Sequence, residues 1–310
     1  MKIYKPKFWD ENIGIFALIL LPLSIIFTII IFLKKKFTKG QKFKVPVICV
    51  GNIYIGGTGK TPTSIFIAKK LTNLGKNPAI IRKDYKNHSD EHNLIRKHYS
   101  ELIINKSRSI AISQAETKNY DSVILDDGFQ DYKIKKNLNI LCFNKNQLIG
   151  NGLIFPSGPL RESLSAIKNA HIVIINGKKS LSFEEKVLKI NKKIHIFYSK
   201  FEPLNLDEFL GKNIFAIAGI GNPNNFFELL SEKGLKIKKK MSFPDHYKPN
   251  KSEILKIINE ADKNNLQIIM TEKDYLRDKY YEYKKINYLK VKLIIENELD
   301  LIKKISKVYD

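Results

Sequence analysis

The stretch "VPVICVGNIYIGGTGKTPTSIFIAKKLTNLG", residues 45–75, decides the fold class of the chain. It opens with a short run of β-branched residues, passes through closely spaced glycines and continues with apolar residues at helical spacing up to Gly75. Pro62 suits the first turn of such a helix, because its missing N–H has no partner to lose there. The stretch therefore predicts a strand, a glycine loop and a helix in succession.

Further apolar runs of strand length follow, separated by amphipathic segments of helix length. They cover residues 79–81, 122–125, 138–143, 171–176, 194–198, 214–220, 267–270 and 286–295. This alternation predicts an α/β fold, with a mainly parallel sheet of the P-loop type and helices on both faces. A second strand, glycine turn and helix starts at residue 213 with "NIFAIAGIGNPNNFF". We therefore predict a large domain at 39–205 and a second, smaller α/β domain at 206–310.

The N-terminal segment "IGIFALILLPLSIIFTIIIFL", residues 13–33, contains no charged residue. As one helix it would be roughly 31 Å long, about the thickness of the hydrocarbon core of a bilayer. Lysines follow it at 34–36, and such charges favour the cytoplasmic side. We expect residues 1–38 to form an N-terminal membrane helix with its flanks, which either spans the bilayer or lies partly in one leaflet. A buried helix of a soluble protein is the alternative.

The charge balance points to an anionic partner. The chain has 54 Lys and Arg against 31 Asp and Glu, a formal net charge of +23. Nucleic acid, acidic lipid or a phosphorylated substrate would fit this charge. The lysines are scattered rather than ordered with aromatic residues, which makes nucleic acid the weaker choice. Cys49 and Cys142 lie in apolar runs, so the composition argues against a disulfide framework and favours a reducing compartment.

The glycine loop has the features of a phosphate-binding loop. "GGTGKT" follows a predicted strand and opens a predicted helix, so backbone N–H groups and the helix dipole converge where phosphates would lie. Lys60 could reach the terminal phosphates, and the Thr61 hydroxyl could bind Mg²⁺. The predicted nucleotide-binding residues are Tyr54, Ile55, Gly56, Gly57, Thr58, Gly59, Lys60 and Thr61. The usual pattern has glycine where this chain has Tyr54, and a purely structural turn is the alternative.

An acidic segment further along the chain supports the interpretation of the glycine loop as a phosphate-binding loop. "SVILDDGFQDYKI", residues 122–134, is an apolar strand that ends in Asp126 and Asp127. Carboxylates at the carboxyl end of a parallel strand beside such a loop are suited to hold Mg²⁺, directly or through water. Gln130 lies one short turn further on and is added to the candidate metal ligands. Helix capping or turn formation by the aspartates is the alternative.

Six segments together resemble a known family. They are "VGNIYIGGTGKTP" (50–62), "LDDGFQDYKI" (125–134), "GNGLIFPSGPLRE" (150–162), "AIAGIGNPNNFF" (216–227), "FPDHY" (243–247) and "MTEKD" (270–274). Their order and spacing are similar to those of the tetraacyldisaccharide 4'-kinases, the lipid A 4'-kinases of Gram-negative bacteria. The resemblance implies ATP-dependent transfer of a phosphoryl group to the 4'-hydroxyl of a tetraacyldisaccharide 1-phosphate, with Mg²⁺ as cofactor. It also implies an inner-membrane location with the active site facing the cytoplasm, and a smaller domain that closes the active-site cleft.

The resemblance also assigns roles to residues outside the phosphate loop. It implies that Asp90 is the base that acts on the acceptor hydroxyl and that His246 is its partner, with Lys60 as a further catalytic residue. Arg161 and Glu162 would border the phosphate and metal region, and Glu162 joins the candidate metal ligands. From the residues alone, the segments around Asp90 and His246 are interpreted as solvated polar turns.

One segment departs from the family pattern. The family has a Ser-Arg-Gly-Tyr-Gly stretch after the second strand, whereas this chain reads "IRKDYKN" at 81–87.

The expected partners are an acylated disaccharide phosphate lipid and the membrane, with no nucleic acid and no obligate protein partner. The alternatives are another membrane-tethered P-loop NTPase and a basic nucleic-acid-binding protein.

Overall fold

The computed structural model describes residues 5–85, 89–277 and 280–310. The chain divides into two compact units. The larger unit contains Pro6–Asp84, His98–Lys200 and Ile295–Asp310, and the smaller unit contains Tyr85–Lys97 and Phe201–Ile294. The domain limits at 38 and 205 stay a prediction, because compactness alone does not define a folding domain.

Strands and helices alternate along most of the chain. The strands are β1 (Val47–Gly51), β2 (Pro78–Lys83), β3 (Leu102–Asn105), β4 (Ser122–Asp126), β5 (Leu138–Asn144), β6 (Ile172–Asn176), β7 (His195–Pro203), β8 (Asn213–Ala218), β9 (Lys236–Ser242), β10 (Gln267–Thr271), β11 (Ile286–Leu289) and β12 (Val291–Ile295). The α-helices are α1 (Ile15–Ile19), α2 (Leu21–Phe37), α3 (Lys60–Asn73), α4 (Ser89–His98), α5 (Arg108–Thr117), α6 (Leu181–Ile190), α7 (Pro223–Glu232), α8 (Lys251–Lys263), α9 (Glu272–Tyr275) and α10 (Glu298–Ser306).

The larger sheet has the strand order β12-β7-β6-β5-β1-β4-β2-β3. The pairings from β7 to β3 are parallel. All five residues of β1 are buried, because the strand lies in the middle of the sheet. Val50 of β1 is in register with Asp126 of β4, so the carboxyl ends of these two strands lie side by side. The predicted mainly parallel α/β fold is confirmed.

The smaller sheet has the order β11-β10-β8-β9, also with parallel pairings. Alternate residues of β8 belong to different apolar clusters. Ile214 and Ala216 pack in one cluster with residues of α7, and Phe215 and Ile217 pack in the other with residues of α8. Because successive side chains of a strand point to opposite faces, both faces of this sheet are covered by apolar side chains.

The prediction of a single membrane-length helix over 13–33 is wrong. The segment forms two helices, α1 and α2, with Leu20 between them. Pro22 lies in the first turn of α2, where it has no N–H to donate and its ring crowds the carbonyl of Leu18, so one continuous helix is disfavoured. Within the described ranges, none of the helices combines the length and the apolar character needed to cross a membrane.

The N-terminal segment is hydrogen-bonded to the body of the larger unit. The Ser24 hydroxyl of α2 donates to the carbonyl of Ile154 at 2.8 Å and accepts from the backbone N–H of Ser157 at 2.9 Å. The Trp9 indole Nε1 donates to the carbonyl of Pro156 at 3.0 Å. Residues 150–162, which are rich in glycine and proline, therefore bind the N-terminal segment at Trp9 and at Ser24.

Candidate active site

The phosphate loop has the predicted strand, loop and helix arrangement. It connects β1 to α3, and Gly59 is the cap residue of α3, with φ of 88°. This left-handed conformation favours glycine, because other residues meet a steric penalty there. The Asn52 side chain donates to the Thr58 hydroxyl at 3.0 Å, and the Ile55 N–H donates to the Pro159 carbonyl at 2.8 Å. The first bond lies within the loop, and the second connects the loop to residues 150–162.

Tyr54, which replaces the usual glycine, is fully buried. Its hydroxyl donates to Asp10 Oδ1 at 2.8 Å. Burial and this hydrogen bond both raise the pKa of the phenol, so Tyr54 is a neutral donor at every physiological pH. The Tyr54 side chain therefore connects the loop to the N-terminal segment.

The two residues that follow Gly59 contact Asp126, the last residue of β4, and Asp127, which comes directly after the strand. The Thr61 hydroxyl donates to Asp126 Oδ2 at 2.8 Å, and Lys60 Nζ lies 3.6 Å from Asp127 Oδ1. Arg161 also donates to Asp127, at 2.9 Å. Burial would raise the pKa of Asp127, but Lys60 and Arg161 outweigh it and hold that pKa well below its usual range. Burial lowers the pKa of Lys60, and Asp127 opposes this effect.

Arg82 is a site residue that sequence reasoning missed. It lies in β2, beside β4 in the sheet, and is 3% exposed. Its Nη1 contacts Asp126 Oδ2 and lies 3.5 Å from the Thr61 hydroxyl. The available signal was a charged residue directly after the apolar run "AII", where the strand is still buried, because a buried cation requires a carboxylate nearby.

The remaining metal candidates are Gln130 and Glu162. Gln130 Nε2 donates to the carbonyl of Asn52, at 2.9 Å. Glu162 is 5% exposed, and its Oε1 has no hydrogen-bond partner among the described residues. Within that same part of the chain, no cluster of three or more His, Cys, Asp or Glu side chains is placed to hold a metal ion.

Asp90 and His246 meet in the smaller unit. Asp90 lies in the first turn of α4 and is fully buried. His246 Nδ1 lies 3.1 Å from Asp90 Oδ1 and 3.0 Å from Asp90 Oδ2. His246 has φ of 61°, a left-handed conformation that is uncommon for residues other than glycine. Residues 86–88 of the altered segment before Asp90 lie outside the described residues, so the expectation for that segment stays a prediction.

Two cations of the α9 region complete the surroundings of Asp90. Lys273 Nζ lies 3.1 Å from Glu91, 3.2 Å from Asp245 and 3.9 Å from Asp90 Oδ2. Arg277 Nε donates to Asp90 Oδ2 at 3.0 Å. Burial would raise the pKa of Asp90, but His246, Lys273 and Arg277 outweigh it and hold that pKa well below its ordinary value. Asp90 is therefore ionised at neutral pH.

Arg277 is the second residue that sequence reasoning missed. It lies outside the six recognised segments, four residues after Lys273. Because α9 ends at Tyr275, helical spacing does not reveal Arg277, and the sequence has no signal for its contact with Asp90.

The sequence profile of the family described as "Tetraacyldisaccharide-1-P 4'-kinase" matches residues 16–310. The chain belongs to this family. The resemblance predicted from the six segments is thereby confirmed.

Individual members of the family match along almost their full length. The chain is 42% identical to the tetraacyldisaccharide 4'-kinase of Pelagibacter ubique, with 99% of each chain covered. It is 32% identical to the one from Ruthia magnifica, with 94% of this chain and 97% of the relative covered. A crystal structure of Aquifex aeolicus LpxK, described as an "apo" form in complex with ATP, matches with a TM-score of 0.70 and 26% identity. That match covers 95% of this chain and 99% of the other.

Proposed function

We propose that this chain is an ATP-dependent tetraacyldisaccharide 4'-kinase of lipid A biosynthesis. It would transfer the γ-phosphoryl group of ATP to the 4'-hydroxyl of an acylated disaccharide 1-phosphate. The observation that carries the proposal is the family match over residues 16–310, since it includes both the phosphate loop and the Asp90 and His246 segments. The site geometry supports it, because the loop has the phosphate-binding form and Asp90 has a histidine partner.

On the donor side, the phosphate loop would hold the ATP phosphates. The N–H groups at the start of α3 point out of the helix end, and Lys60 supplies a positive charge that is already oriented by Asp127. Because Lys60 and Arg161 both contact Asp127, their positions are fixed before the nucleotide arrives.

The donor set fits Mg²⁺. Thr61 and Asp126 present oxygen atoms 2.8 Å apart, and oxygen ligands are those that Mg²⁺ prefers. The buried Oε1 of Glu162, which lacks a hydrogen-bond partner within the described ranges, fits a role next to a cation. Thr61 and Asp126 would hold the ion, with Asp127, Gln130 and Glu162 near it or bound through water. When bound, Mg²⁺ neutralises charge on the phosphates.

On the acceptor side, Asp90 would receive the proton of the 4'-hydroxyl. The hydroxyl oxygen forms a bond to the γ-phosphorus, the bond from that phosphorus to the β–γ bridging oxygen breaks, and ADP leaves with the electron pair. Asp90 is ionised and can accept the proton, and His246 holds both carboxylate oxygens in place. Asp245 lies 3.7 Å from His246 Nε2 and would help to fix the ring.

The N-terminal helices would contact the cytoplasmic face of the inner membrane. Their large apolar side chains that are more than half exposed include Ile15, Phe16, Ile19, Leu23, Ile26 and Ile30. Exposed apolar area of this kind, followed by three lysines at 34–36, fits binding to a bilayer interface rich in anionic lipid. An acceptor lipid that stays in the membrane would then be close to the enzyme.

The membrane contact is testable with an exposed apolar control. Ile26→Glu combined with Ile30→Glu should lower binding to phosphatidylethanolamine and phosphatidylglycerol vesicles roughly tenfold, because two apolar contacts are replaced by charges. Leu299→Glu on α10, where the leucine is 86% exposed, should change binding little. Equal loss in both variants, measured by vesicle sedimentation, would contradict a specific role for α2.

The activity itself is tested with the purified chain, ATP, Mg²⁺ and an acylated disaccharide 1-phosphate in mixed micelles. Formation of the 1,4'-bisphosphate, identified by mass spectrometry, is the expected result. ATP hydrolysis that does not depend on the lipid would instead favour a P-loop NTPase of another kind. Binding to duplex DNA, measured in parallel, would favour the nucleic-acid alternative only if the lipid were not phosphorylated.

A further inference from the structure

The guanidinium group of Arg277 is buried and bound on every side. Its Nε donates to Asp90 Oδ2 at 3.0 Å, and its Nη1 donates to the carbonyl of Tyr247 at 2.9 Å. Its Nη2 donates to the carbonyl of Gly219 at 2.8 Å and lies 2.8 Å from Asp274 Oδ1. One side chain therefore joins α4, the loop that contains His246, the loop after β8 and α9.

We propose that Arg277 is a positioning residue for the acceptor side: it fixes Asp90 directly and fixes the loop of His246 through the carbonyl of the next residue. This inference rests on the proposed function, in which Asp90 and His246 act together on the acceptor hydroxyl. Arg277 itself touches no reacting atom in this account.

The backbone at His246 explains why such a contact is needed. The left-handed conformation at this residue is disfavoured for a side chain with a Cβ atom, so neighbouring contacts must hold it. The Tyr247 N–H donates to the Pro244 carbonyl at 3.1 Å, and Arg277 binds the Tyr247 carbonyl. Both peptide groups of Tyr247 are thus held, and the direction of the His246 imidazole toward Asp90 follows from them.

The loop after β8 has space for the guanidinium only because residue 219 is a glycine. A Cβ atom at Gly219 would lie 2.9 Å from Arg277 Nη1, 3.1 Å from Asp274 Oδ1 and 3.2 Å from the Phe243 Cβ. Alanine at this position would therefore displace the arginine without removing its charge. Gly219 gives a second way to test the same contact.

A lysine cannot reproduce the contacts of Arg277. The guanidinium is planar and directs five donors in a fixed fork, whereas a lysine ammonium is a compact charge on a flexible chain. Arg277→Lys keeps the charge near Asp90, but one ammonium cannot bridge Asp90, Tyr247 and Gly219 as the fork does. The lysine variant thus separates a positioning role from a purely electrostatic one.

The charge around Asp90 makes a pH readout possible. The charged or titratable groups that face it are Glu91 on its own helix, Asp245 and His246 on the loop before α8, and Lys273, Asp274 and Arg277 on and after α9. Arg277 is one of the cations that oppose the effect of burial on Asp90. Its removal should raise the pKa of Asp90, so the activity lost on acidification should be lost at a higher pH.

The experiment compares Arg277→Lys, Arg277→Met and Gly219→Ala in the full chain, with ATP and the acylated disaccharide 1-phosphate. Each variant should lower kcat by roughly 10- to 100-fold, because small displacements of catalytic groups have effects of this size. The KM for ATP should stay within about twofold of wild type. In Arg277→Met the acid limb of the kcat/KM profile for the lipid should move to higher pH.

Lys285→Met is the matched control, because Lys285 pairs with Asp262 at 2.6 Å in the same unit and both are exposed. It should keep the wild-type kcat and pH profile. Thermal unfolding and ATP binding by calorimetry are measured for every variant. If Arg277→Met does not fold, Arg277→Lys and Gly219→Ala carry the test, since both keep the cation.

The experiment distinguishes failure of the positioning role of Arg277 from failure of the proposed function. If Asp90→Asn is inactive while Arg277→Lys and Gly219→Ala keep the wild-type kcat, the positioning role of Arg277 is overturned and the proposed function stands. If the Arg277 variants lose ATP affinity in proportion to kcat, the role is a general structural one and the inference is also overturned. If Asp90→Asn is fully active, the proposed acceptor site itself is wrong.

Discussion

Two buried carboxylates, one in each unit, are held by cations in different ways. In the larger unit, Asp126 contacts Thr61 and Arg82, which lie 65 and 44 residues away in sequence and belong to elements next to β4. In the smaller unit, Asp90 contacts His246 and Arg277, which lie 156 and 187 residues away. The first group is placed by the order of strands in one parallel sheet. The second is placed by the packing of loops and short helices.

The difference predicts how each group responds to mutation. Groups around Asp126 are set by a rigid sheet and a helix end, so single changes should remove a charge and leave the geometry intact. Groups around Asp90 hold one another, so single changes there should disturb several partners at once.

The largest effect is expected from the pair in the smaller unit. Asp90→Ala and His246→Ala should each lower kcat by roughly 10²- to 10⁴-fold, the range for loss of general base catalysis. The KM for ATP should change little, because in the proposed reaction the pair acts on the acceptor hydroxyl rather than on ATP binding. The double variant should be little worse than the poorer single one, since residues that act as a unit are not additive. Steady-state kinetics at saturating lipid would measure this.

Asp262→Ala, an exposed carboxylate of the same unit, is the control for the pair. Asp245→Ala should have a smaller effect than either member, because its contact with His246 is longer, at 3.7 Å. Strictly additive losses would contradict the cooperation of Asp90 and His246. An active Asp90→Ala enzyme together with an inactive Glu91→Ala enzyme would assign the base to Glu91.

A somewhat smaller effect is expected at the phosphate loop. Lys60→Ala and Thr61→Ala should each lower kcat by roughly 10²-fold or more, because each removes stabilisation of developing charge rather than core packing. Their partners are Asp127 and Asp126, and neither side chain belongs to the apolar core. Lys69→Ala, an exposed position on the same helix, should behave as wild type in the same assay. Full turnover by Lys60→Ala would exclude the loop as the nucleotide site.

The stability of the Asp90 group should depend on pH with a defined sign. The pKa of Asp90 in the folded chain is lower than in the unfolded chain, so its ionised form stabilises the fold above the ordinary pKa of about 4. That contribution is lost as the pH falls through the folded-state pKa. Asp90→Asn should therefore lower the free energy of unfolding by about 3 kcal/mol at pH 7, and the difference should shrink below about pH 4.

Urea unfolding of both proteins at pH 7, 5 and 3 would measure this difference. Asp262→Asn at an exposed pair serves as the reference. A gap between wild type and Asp90→Asn that widens as the solution is acidified would show that the assigned direction of the pKa shift is wrong.

The smallest effect is expected from the contact between Tyr54 and Asp10. Tyr54→Phe removes one buried hydrogen bond and should lower the free energy of unfolding by about 1 kcal/mol. For a chain of this size the melting temperature should fall by about 2 °C. Lys69→Ala, at an exposed position of α3, is the control. If Tyr54→Phe has the same melting temperature as the wild type, the hydroxyl does not contribute to stability.

The difference between the Asp126 group and the Asp90 group also explains how much of the site could be predicted from the sequence. The loop from β1 to α3 is local in sequence, and its glycines, lysine and threonine reveal it directly. Asp126 and Asp127 could be placed because the topology of parallel sheets brings strand ends together. Arg82 and Arg277 could not, because which distant cation meets which carboxylate depends on packing that has no period in the sequence.

The N-terminal segment shows a different kind of failure. Hydrophobic length predicted one helix over 13–33, yet Pro22 was present in the sequence as a signal for a break. Apolar composition alone does not predict the helix boundary at Leu20, which follows from the backbone.

Because Asp10 binds Tyr54 of the phosphate loop, and Trp9 and Ser24 bind the carbonyls of Pro156 and Ile154, the N-terminal segment cannot be treated as a detachable anchor. Trimming residues 1–36 to obtain a protein that needs no detergent would take away all three contacts together. The trimmed protein should bind ATP more weakly even in the absence of any lipid. Work on inhibitors of the nucleotide site should therefore use a protein that retains this segment.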